Sequence, residues 1–199
     1  MTEIIPIFPS LIVKHDTKPE FDGIKEPLIK AIYREMERDE KGVTRSNVGG
    51  WQSDIDIFQR SDFSKFGRFV MKNSKAALSH VFRPGYQLSL RGAWLNVNGK
   101  DSFNECHIHP DCDIAGVFWI DAPEESGDLI IINDSAYSNY RWLSHASKSV
   151  ISEHKYFVGW ELTPVAGEMV FFPANMLHKV NINNSSENRI SIAFNLRVG

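Results

Sequence analysis

Histidine and carboxylate side chains are concentrated in one short segment, residues 105–113, which reads Glu-Cys-His-Ile-His-Pro-Asp-Cys-Asp. Residues two apart on a β-strand share a face, so His107 and His109 are expected to point the same way. Asp111 can reach back toward them from the turn at Pro110. Imidazole and carboxylate groups together bind divalent transition metals. The segment therefore predicts part of a metal site.

A further histidine, His178, follows the apolar run Phe171-Phe172-Pro173, which is typical of a buried strand that ends in a short turn. Two histidines and one carboxylate leave three positions of an octahedral Fe(II) open, as a chelating co-substrate and O₂ require. Together with one histidine and one carboxylate of residues 105–113, His178 therefore predicts the facial triad of a non-haem iron enzyme.

Arg189 begins a strongly alternating segment a short distance after His178. Alternation places Arg189, Ser191, Ala193 and Asn195 on one face and apolar side chains on the other. A guanidinium that faces into a barrel needs an anionic partner, and a carboxylate held in bidentate fashion satisfies it. Arg189 and Ser191 are thus predicted to hold the distal carboxylate of 2-oxoglutarate; the alternative is a salt-bridged residue at the rim.

Two helices followed by many short strands must position these groups. Helical periodicity covers residues 21–38, and a second helix is predicted to begin with Ser61-Asp62 as its cap and to end before Pro84-Gly85. A strand is predicted within residues 4–14. Beyond Gly85 the period changes to two, which predicts strands near 86–98, 103–109, 114–120, 128–133, 156–162, 168–172, 176–182 and 189–196.

The order of these elements predicts a mainly β fold with flanking helices, a double-stranded β-helix of the jelly-roll or cupin type. The 199 residues fit a single domain, with helical support over about 20–82 and the barrel over about 86–199. Residues 134–155 form an unusually long loop in this scheme, and its aromatic side chains are candidates for a substrate lid: Tyr137, Tyr140 and Trp142.

Composition excludes several classes of partner. The net charge of −3 and the mixture of acidic and basic residues give no broad cationic surface for nucleic acid. No stretch approaches the roughly 20 apolar residues that a membrane helix needs, and the N-terminal sequence does not resemble a signal peptide. With only Cys106 and Cys112, the chain has no disulfide framework, which favours a reducing, cytoplasmic setting.

The chain resembles the 2-oxoglutarate/Fe(II) oxygenases related to prolyl hydroxylases that occur in bacteria and phages. The resemblance spans nearly the whole length, from residues 4–8 through Gly49-Gly50-Trp51-Gln52-Ser53 and His107-Ile108-His109-Pro110. Its most specific parts are the segment from Gly167 to His178 and the segment from Arg189 to Asn195. It implies oxidative decarboxylation of 2-oxoglutarate to succinate and CO₂, with one oxygen atom transferred to a C–H bond.

The ligand set is assigned through this resemblance. The superfamily motif His-x-Asp maps onto His109 and Asp111, so His109, Asp111 and His178 are the predicted iron ligands and catalytic centre. His107 would then lie beside the metal or face the substrate. Because relatives keep His-x-His-Pro more faithfully than the aspartate, two alternatives stay open: three imidazoles that include His107, or a set in which Asp113 supplies the carboxylate.

Other residues are assigned to the site by their position in the resemblance. Trp94 and Asn96 lie on a strand that lines the co-substrate pocket in related enzymes, although packing explains them equally well. Trp51 lies in a polar loop and is assigned to the site entrance, with the core as the alternative. Phe118, Trp119, Phe171 and Phe172 form either an apolar wall of the site or part of the core.

Two other functions compete with an oxygenase that uses Fe(II), 2-oxoglutarate and O₂. One is a cupin-like metal protein without 2-oxoglutarate, which would have no need of an inward Arg189. The other is a binding module without catalysis, although intact ligand residues argue against it. The sequence leaves the substrate open, a small molecule or a peptide, with a prolyl residue favoured by analogy. It also leaves the oligomeric state open, and a homodimer is compatible with it.

Overall fold

A computed structural model describes residues 10–134, 145–155 and 157–199. Within them, the helices are α1 (Lys18–Phe21), α2 (Lys25–Arg38), α3 (Ser61–Leu78) and α4 (Lys148–His154), with one 3₁₀ turn (Ile57–Gln59). The strands, in chain order, are β1 (Val13–Asp16), β2 (Asn47–Val48), β3 (Trp51–Gln52), β4 (Leu88–Asn98), β5 (Phe103–His107), β6 (Ile114–Asp121), β7 (Leu129–Ile132), β8 (Gly159–Leu162), β9 (Glu168–Pro173), β10 (His178–Val180) and β11 (Arg189–Val198).

The strands form two antiparallel sheets. The larger sheet has the order β1-β9-β6-β11-β4-β3, and the smaller has the order β2-β5-β10-β7-β8. Neighbours in both sheets are mostly distant in the sequence, as in a jelly roll. This is the double-stranded β-helix fold that the sequence predicts, with α1, α2 and α3 before the long strands of the barrel as expected.

Alternation along the strands separates two apolar clusters. On β11, Ile190, Ile192 and Phe194 pack with α2 and α3 on the outer face of the larger sheet. A smaller cluster fills the space between the two sheets and includes Trp119 and Phe172. One face of the larger sheet is thus braced by helices, while its other face turns to the smaller sheet and holds the polar residues of interest.

Several sequence predictions need correction. Residues 134–155 are not a loop throughout, because α4 occupies Lys148–His154; Ser147 Oγ accepts a hydrogen bond from the Val150 amide and caps its start. Ser61 is the first residue of α3 rather than its cap. Trp51 packs with the helix-side core, and its indole N–H donates to Asp39 O at 2.8 Å, so it does not lie at the site entrance.

Other predictions are confirmed only in part, or concern residues outside the described ranges. Of the four aromatic residues proposed as a wall, Phe118 and Phe171 belong to the helix-side core, whereas Trp119 and Phe172 line the space between the sheets. The N-terminal strand is seen only from Val13. The proposed lid aromatics Tyr137, Tyr140 and Trp142 are outside the described residues. Across the described ranges, the helices are all too short or too polar to traverse a lipid bilayer.

Candidate metal and co-substrate site

The smaller sheet places two histidines directly opposite each other. His107 is the last residue of β5, His178 is the first residue of β10, and the two are cross-strand partners in the antiparallel register. Directly opposed residues share one face of a sheet. Their rings consequently lie with centroids 4.2 Å apart on the face that turns toward the larger sheet.

His109 completes this group from the segment that leaves β5. Its backbone N–H donates to Ala174 O at 2.9 Å, which fixes the segment to the turn after β9. The His109 ring centroid lies 5.3 Å from that of His107 and 5.0 Å from that of His178. One ring nitrogen from each of the three histidines lies within 4.8 Å of the others, so the group can hold a metal ion.

Each histidine uses its Nδ1 atom in a hydrogen bond to an oxygen. His107 Nδ1 lies 2.7 Å from Glu105 O, His178 Nδ1 lies 2.8 Å from Met176 O, and His109 Nδ1 lies 2.6 Å from the side-chain Oδ1 of Asn195. These oxygens carry no proton, so each Nδ1 must be the donor. The neutral rings therefore keep their lone pairs on Nε2, the tautomer that a metal ligand with an orienting partner adopts.

Burial keeps the three imidazoles neutral. Desolvation is the main cause that lowers the pKa of His107 and of His109 below the usual value. For His178, burial together with the nearby His107 lowers the pKa to about 3. Only the neutral form of histidine binds a metal, so the group is in its ligand form near neutral pH.

This burial predicts an acid-sensitive fold for the metal-free protein. The folded-state pKa of His178, about 3, lies below the ordinary 6.5, so the unfolded chain binds more protons between these values. The stability that the neutral His178 contributes is therefore fully present above about pH 6.5, and it is lost as the pH falls from there toward 3. Between about pH 7.5 and pH 5, we expect the free energy of unfolding in urea to fall by about 2 kcal/mol from this group.

The matched comparison for this prediction is His178→Gln against His80→Gln, which changes an exposed histidine. The first substitution should reduce the pH dependence of unfolding, and the second should leave it unchanged. An equal pH dependence in all three proteins would show that the buried imidazole is not responsible.

The aspartates predicted as ligands lie apart from the histidines. Asp111 is exposed in the turn after Pro110, and its backbone oxygen accepts from Arg197 at 3.4 Å. Asp113 is also exposed, and its Oδ2 accepts from the Val198 amide at 2.8 Å. Among the described residues, the group able to hold a metal contains the three histidines and neither aspartate.

Arg189 is buried in the same cavity as the histidines, at 2% exposure. Its Nη1 donates to the backbone oxygens of Ser126 and Gly127, the latter at 2.9 Å. Desolvation lowers the pKa of the guanidinium to about 10, with Asp128 opposing the shift. Arg189 therefore remains a cation at neutral pH, in an apolar setting where an anion would be held strongly.

The loop between β6 and β7 fixes the Arg189 side chain through a glycine. Gly127 has φ of +92°, a conformation that side chains rarely adopt. A Cβ atom there would lie 2.2 Å from Asn181 O and 2.9 Å from Arg189 Nη1. The close approach of this loop to the guanidinium thus depends on the absence of a side chain.

Polar residues on β4 and β11 line the cavity between Arg189 and the histidines. Ser191 and Asn96 are cross-strand partners that both face it, and Asn96 Oδ1 is buried with no hydrogen-bond partner. Trp94 lies two residue pairs further along, opposite Ala193, and stacks on His109 with centroids 5.6 Å apart. An unpaired buried acceptor is costly unless a ligand or water meets it, so this stretch is suited to a polar ligand.

A larger cavity, of about 430 Å³, opens on the other side of the β6–β7 loop. Its lining includes Glu124, Glu125 and Asp128 but none of the histidines. Size alone would favour it, yet the converging ring nitrogens and the buried guanidinium lie in the smaller cavity. The chemistry therefore identifies the smaller cavity as the site.

Sequence reasoning did not assign a role to Asn195, which orients His109. Alternation had placed Asn195 on the same face as Arg189 and Ser191, and the structure confirms that face. Its partner lies 86 residues away in the sequence, so no local pattern could reveal the contact. Ser46 and Asn104, which also line the cavity, gave no sequence signal.

Comparison with known proteins was made on both sequence and structure. The family model described as "Putative 2OG-Fe(II) oxygenase" matches residues 92–195, which include all three histidines and Arg189. No curated protein matches this chain in sequence. The family-model match covers just over half of the chain and contains the three histidines, Arg189 and Ser191, but not Ser46.

Solved structures share the fold at low sequence identity. A prolyl-4-hydroxylase from Pseudomonas putida has a TM-score of 0.61 at 15% identity, over 94% of this chain and 92% of its own. HygX from Streptomyces hygroscopicus, solved with nickel and 2-oxoglutarate, has a TM-score of 0.61 at 12% identity, over 94% and 82%. The viral collagen prolyl hydroxylase of Paramecium Bursaria Chlorella virus-1 has a TM-score of 0.54 at 13% identity, over 93% and 94%.

Proposed function

Because the chain belongs to the 2OG-Fe(II) oxygenase family, we propose that His107, His109 and His178 bind its iron and that Arg189 and Ser191 bind its 2-oxoglutarate. The protein is an Fe(II)- and 2-oxoglutarate-dependent oxygenase. The proposed ligand set is the three-imidazole alternative, in place of one that contains Asp111. Asp111 then has no contact with the metal.

The observation that supports this ligand set is the hydrogen bonding of the three Nδ1 atoms. Each ring is held at Nδ1 by an oxygen acceptor, which leaves Nε2 as the nitrogen with a lone pair. Such partners fix the tautomer and the orientation of metal-bound histidines. Neutral imidazoles with their lone pairs on Nε2 are the form of histidine that binds a divalent metal ion.

The support for Arg189 is its burial beside the same cavity. Its two hydrogen bonds to Ser126 and Gly127 both use Nη1, which leaves guanidinium donors for a carboxylate. Ser191, whose hydroxyl can donate to an anion, lies two positions further along the same strand. We place the distal carboxylate of 2-oxoglutarate on Arg189 and Ser191, and its keto acid end toward the histidines.

The reaction uses the metal for oxidation and the chain for geometry. When bound, iron supplies the redox chemistry by which 2-oxoglutarate and O₂ yield succinate, CO₂ and an oxidised substrate. Arg189 orients the co-substrate, while Trp119 and Phe172 exclude water from one side of the cavity. Trp94, stacked on His109 and half-buried, lies where a substrate could approach.

The substrate is proposed to be hydroxylated, with a prolyl residue of a peptide as the first candidate. This rests on likeness to prolyl hydroxylases at 13–15% identity, which shows the fold alone. Small molecules are the second class to test.

Both cysteines, Cys106 and Cys112, are free thiols, which supports our placement of the protein in a reducing compartment such as the cytoplasm.

Asn195 is predicted to strengthen metal binding through His109. Substitution Asn195→Ala removes the acceptor for His109 Nδ1 and should weaken Fe(II) binding by about 10- to 100-fold, as loss of such partners does elsewhere. Asn188→Ala, which removes an amide bonded to Tyr33 on the surface, is the matched control. Anaerobic calorimetry with Fe(II) measures both, and equal affinities would mean that Asn195 does not position the ligand.

The activity is tested by following succinate formation from 2-oxoglutarate. Protein reconstituted with Fe(II), ascorbate and O₂ should form succinate slowly without substrate. It should form succinate faster when a library of proline-containing peptides that includes a substrate is added. Absence of succinate under every condition, in protein with stoichiometric iron, would contradict the assignment of this site.

A further inference from the structure

The cavity around the histidines and Arg189 is unusual in its charge. Among the described residues that line it, the polar side chains are serine, asparagine, histidine, tryptophan and arginine, and none is an aspartate or glutamate. The described residues that line the cavity thus supply one permanent positive charge, from Arg189, and no negative charge. A divalent metal held by three neutral imidazoles brings the total to three positive charges.

Three acids on adjoining segments, Asp111, Asp113 and Asp128, do not line the cavity. Asp128 acts on Arg189 electrostatically, yet it lines the separate outer cavity beyond the Ser126–Gly127 wall. Asp113 accepts from the Val198 amide, and Asp111 is exposed in the turn. Like charges in a poorly solvated space repel strongly, so a metal ion alone is disfavoured beside Arg189.

We propose that the dianionic co-substrate is the counter-ion of this cavity, so that the chain retains its metal tightly only when a dicarboxylate with a chelating end is bound. The inference rests on the proposed ligand set. In a centre with a carboxylate ligand, the protein itself supplies part of the negative charge. Here that role belongs to the co-substrate, which has one negative charge at its chelating end, for the metal, and one at its distal end, for Arg189.

The coupling is reciprocal by thermodynamic linkage. If 2-oxoglutarate tightens metal binding by some factor, the metal tightens 2-oxoglutarate binding by the same factor. Chelation alone contributes to that factor, whereas the distal carboxylate contributes only through Arg189. A keto acid that has the same chelating end but lacks the second carboxylate therefore separates the two contributions.

The first experiment measures Mn(II) affinity by equilibrium dialysis, with Mn(II) as a redox-stable substitute for iron. It is run with no keto acid, with saturating pyruvate and with saturating 2-oxoglutarate. We expect 2-oxoglutarate to tighten Mn(II) binding by about 100-fold, in the upper range of known couplings, and pyruvate by at least about tenfold less. Equal effects of the two acids would overturn the proposal.

The second experiment supplies the missing charge within the ligand set. His109→Asp places a carboxylate at this position, and His109→Asn is its neutral match in shape. We expect His109→Asp to bind Mn(II) without keto acid at least about tenfold more tightly than His109→Asn does, and to show a smaller gain on adding 2-oxoglutarate. The same gain in both variants would contradict the counter-ion role.

The outcomes separate this inference from the proposed function. If 2-oxoglutarate fails to bind the metal-loaded wild-type protein, the proposed function itself is wrong. If it binds, but with a coupling no larger than that of pyruvate, the oxygenase assignment stands and the counter-ion role is refuted. Should either variant fail to fold, the comparison of the two keto acids on the wild-type protein still decides.

Discussion

His107→Ala is expected to leave the protein without tightly bound metal, whereas Asp111→Ala is expected to retain it. His107 faces His178 across two paired strands, and its Nδ1 is already bonded to Glu105 O. Loss of a partner that only orients a ligand costs about 10- to 100-fold in metal affinity, so loss of a ligand should cost more than about 100-fold. Asp111 is exposed and lies outside the histidine group.

Metal analysis of the proteins, reconstituted and desalted in buffer that contains 2-oxoglutarate, measures this contrast directly. Circular dichroism of each metal-free variant checks that the sheets persist. His107→Asn and Asp111→Asn change the side-chain volume less than the alanine variants do, and the same results are expected for them. Metal loss in the Asp111 variants with retention in the His107 variants would reverse our assignment and restore the His109, Asp111 and His178 set.

Arg189→Ala is expected to weaken 2-oxoglutarate binding by about 100-fold or more, since removal of one partner of a buried charge pair costs about 2–5 kcal/mol. Metal binding in the absence of co-substrate should not weaken, because Arg189 is not a ligand. Isothermal titration of the Mn(II)-loaded protein with 2-oxoglutarate under anaerobic conditions measures the effect.

Two companion variants make the result specific. Arg197→Ala removes an exposed arginine from the same strand and should leave 2-oxoglutarate affinity unchanged. Arg189→Lys retains the charge but loses the bidentate geometry, so it should recover only part of the affinity. Unaltered affinity in Arg189→Ala would mean that the guanidinium is structural, held by Ser126 and Gly127 for the sake of the loop alone.

Local patterns in the sequence were sufficient for the fold. The alternation from Arg189 to Leu196 specified which side chains face the helices and which face the cavity, because a strand has a strict period of two. The apolar run before His178 was read correctly as a strand and a turn. Helix α4 was missed because its seven residues carry no buried side chain and hence no apolar periodicity.

The ligand set that we propose could not be derived from local patterns alone. His-Pro-Asp suggested that Asp111 turns back toward His109, but the direction of a side chain in a turn depends on tertiary contacts. Here the Asp111 backbone contacts Arg197, and the histidine segment is tied to Ala174. The pairing of His107 with His178 needs the strand register, which joins residues 71 positions apart.

The most direct test of the central claim is anaerobic titration of the Fe(II)-loaded protein with 2-oxoglutarate, followed by visible absorption. Chelation by the keto acid at Fe(II) gives a weak metal-to-ligand charge-transfer band. We predict that the band appears and saturates at one equivalent in the wild-type protein and in Asp111→Ala, and that it is absent in His107→Ala. No band in the wild-type protein, despite stoichiometric iron, would contradict an iron and 2-oxoglutarate site in this cavity.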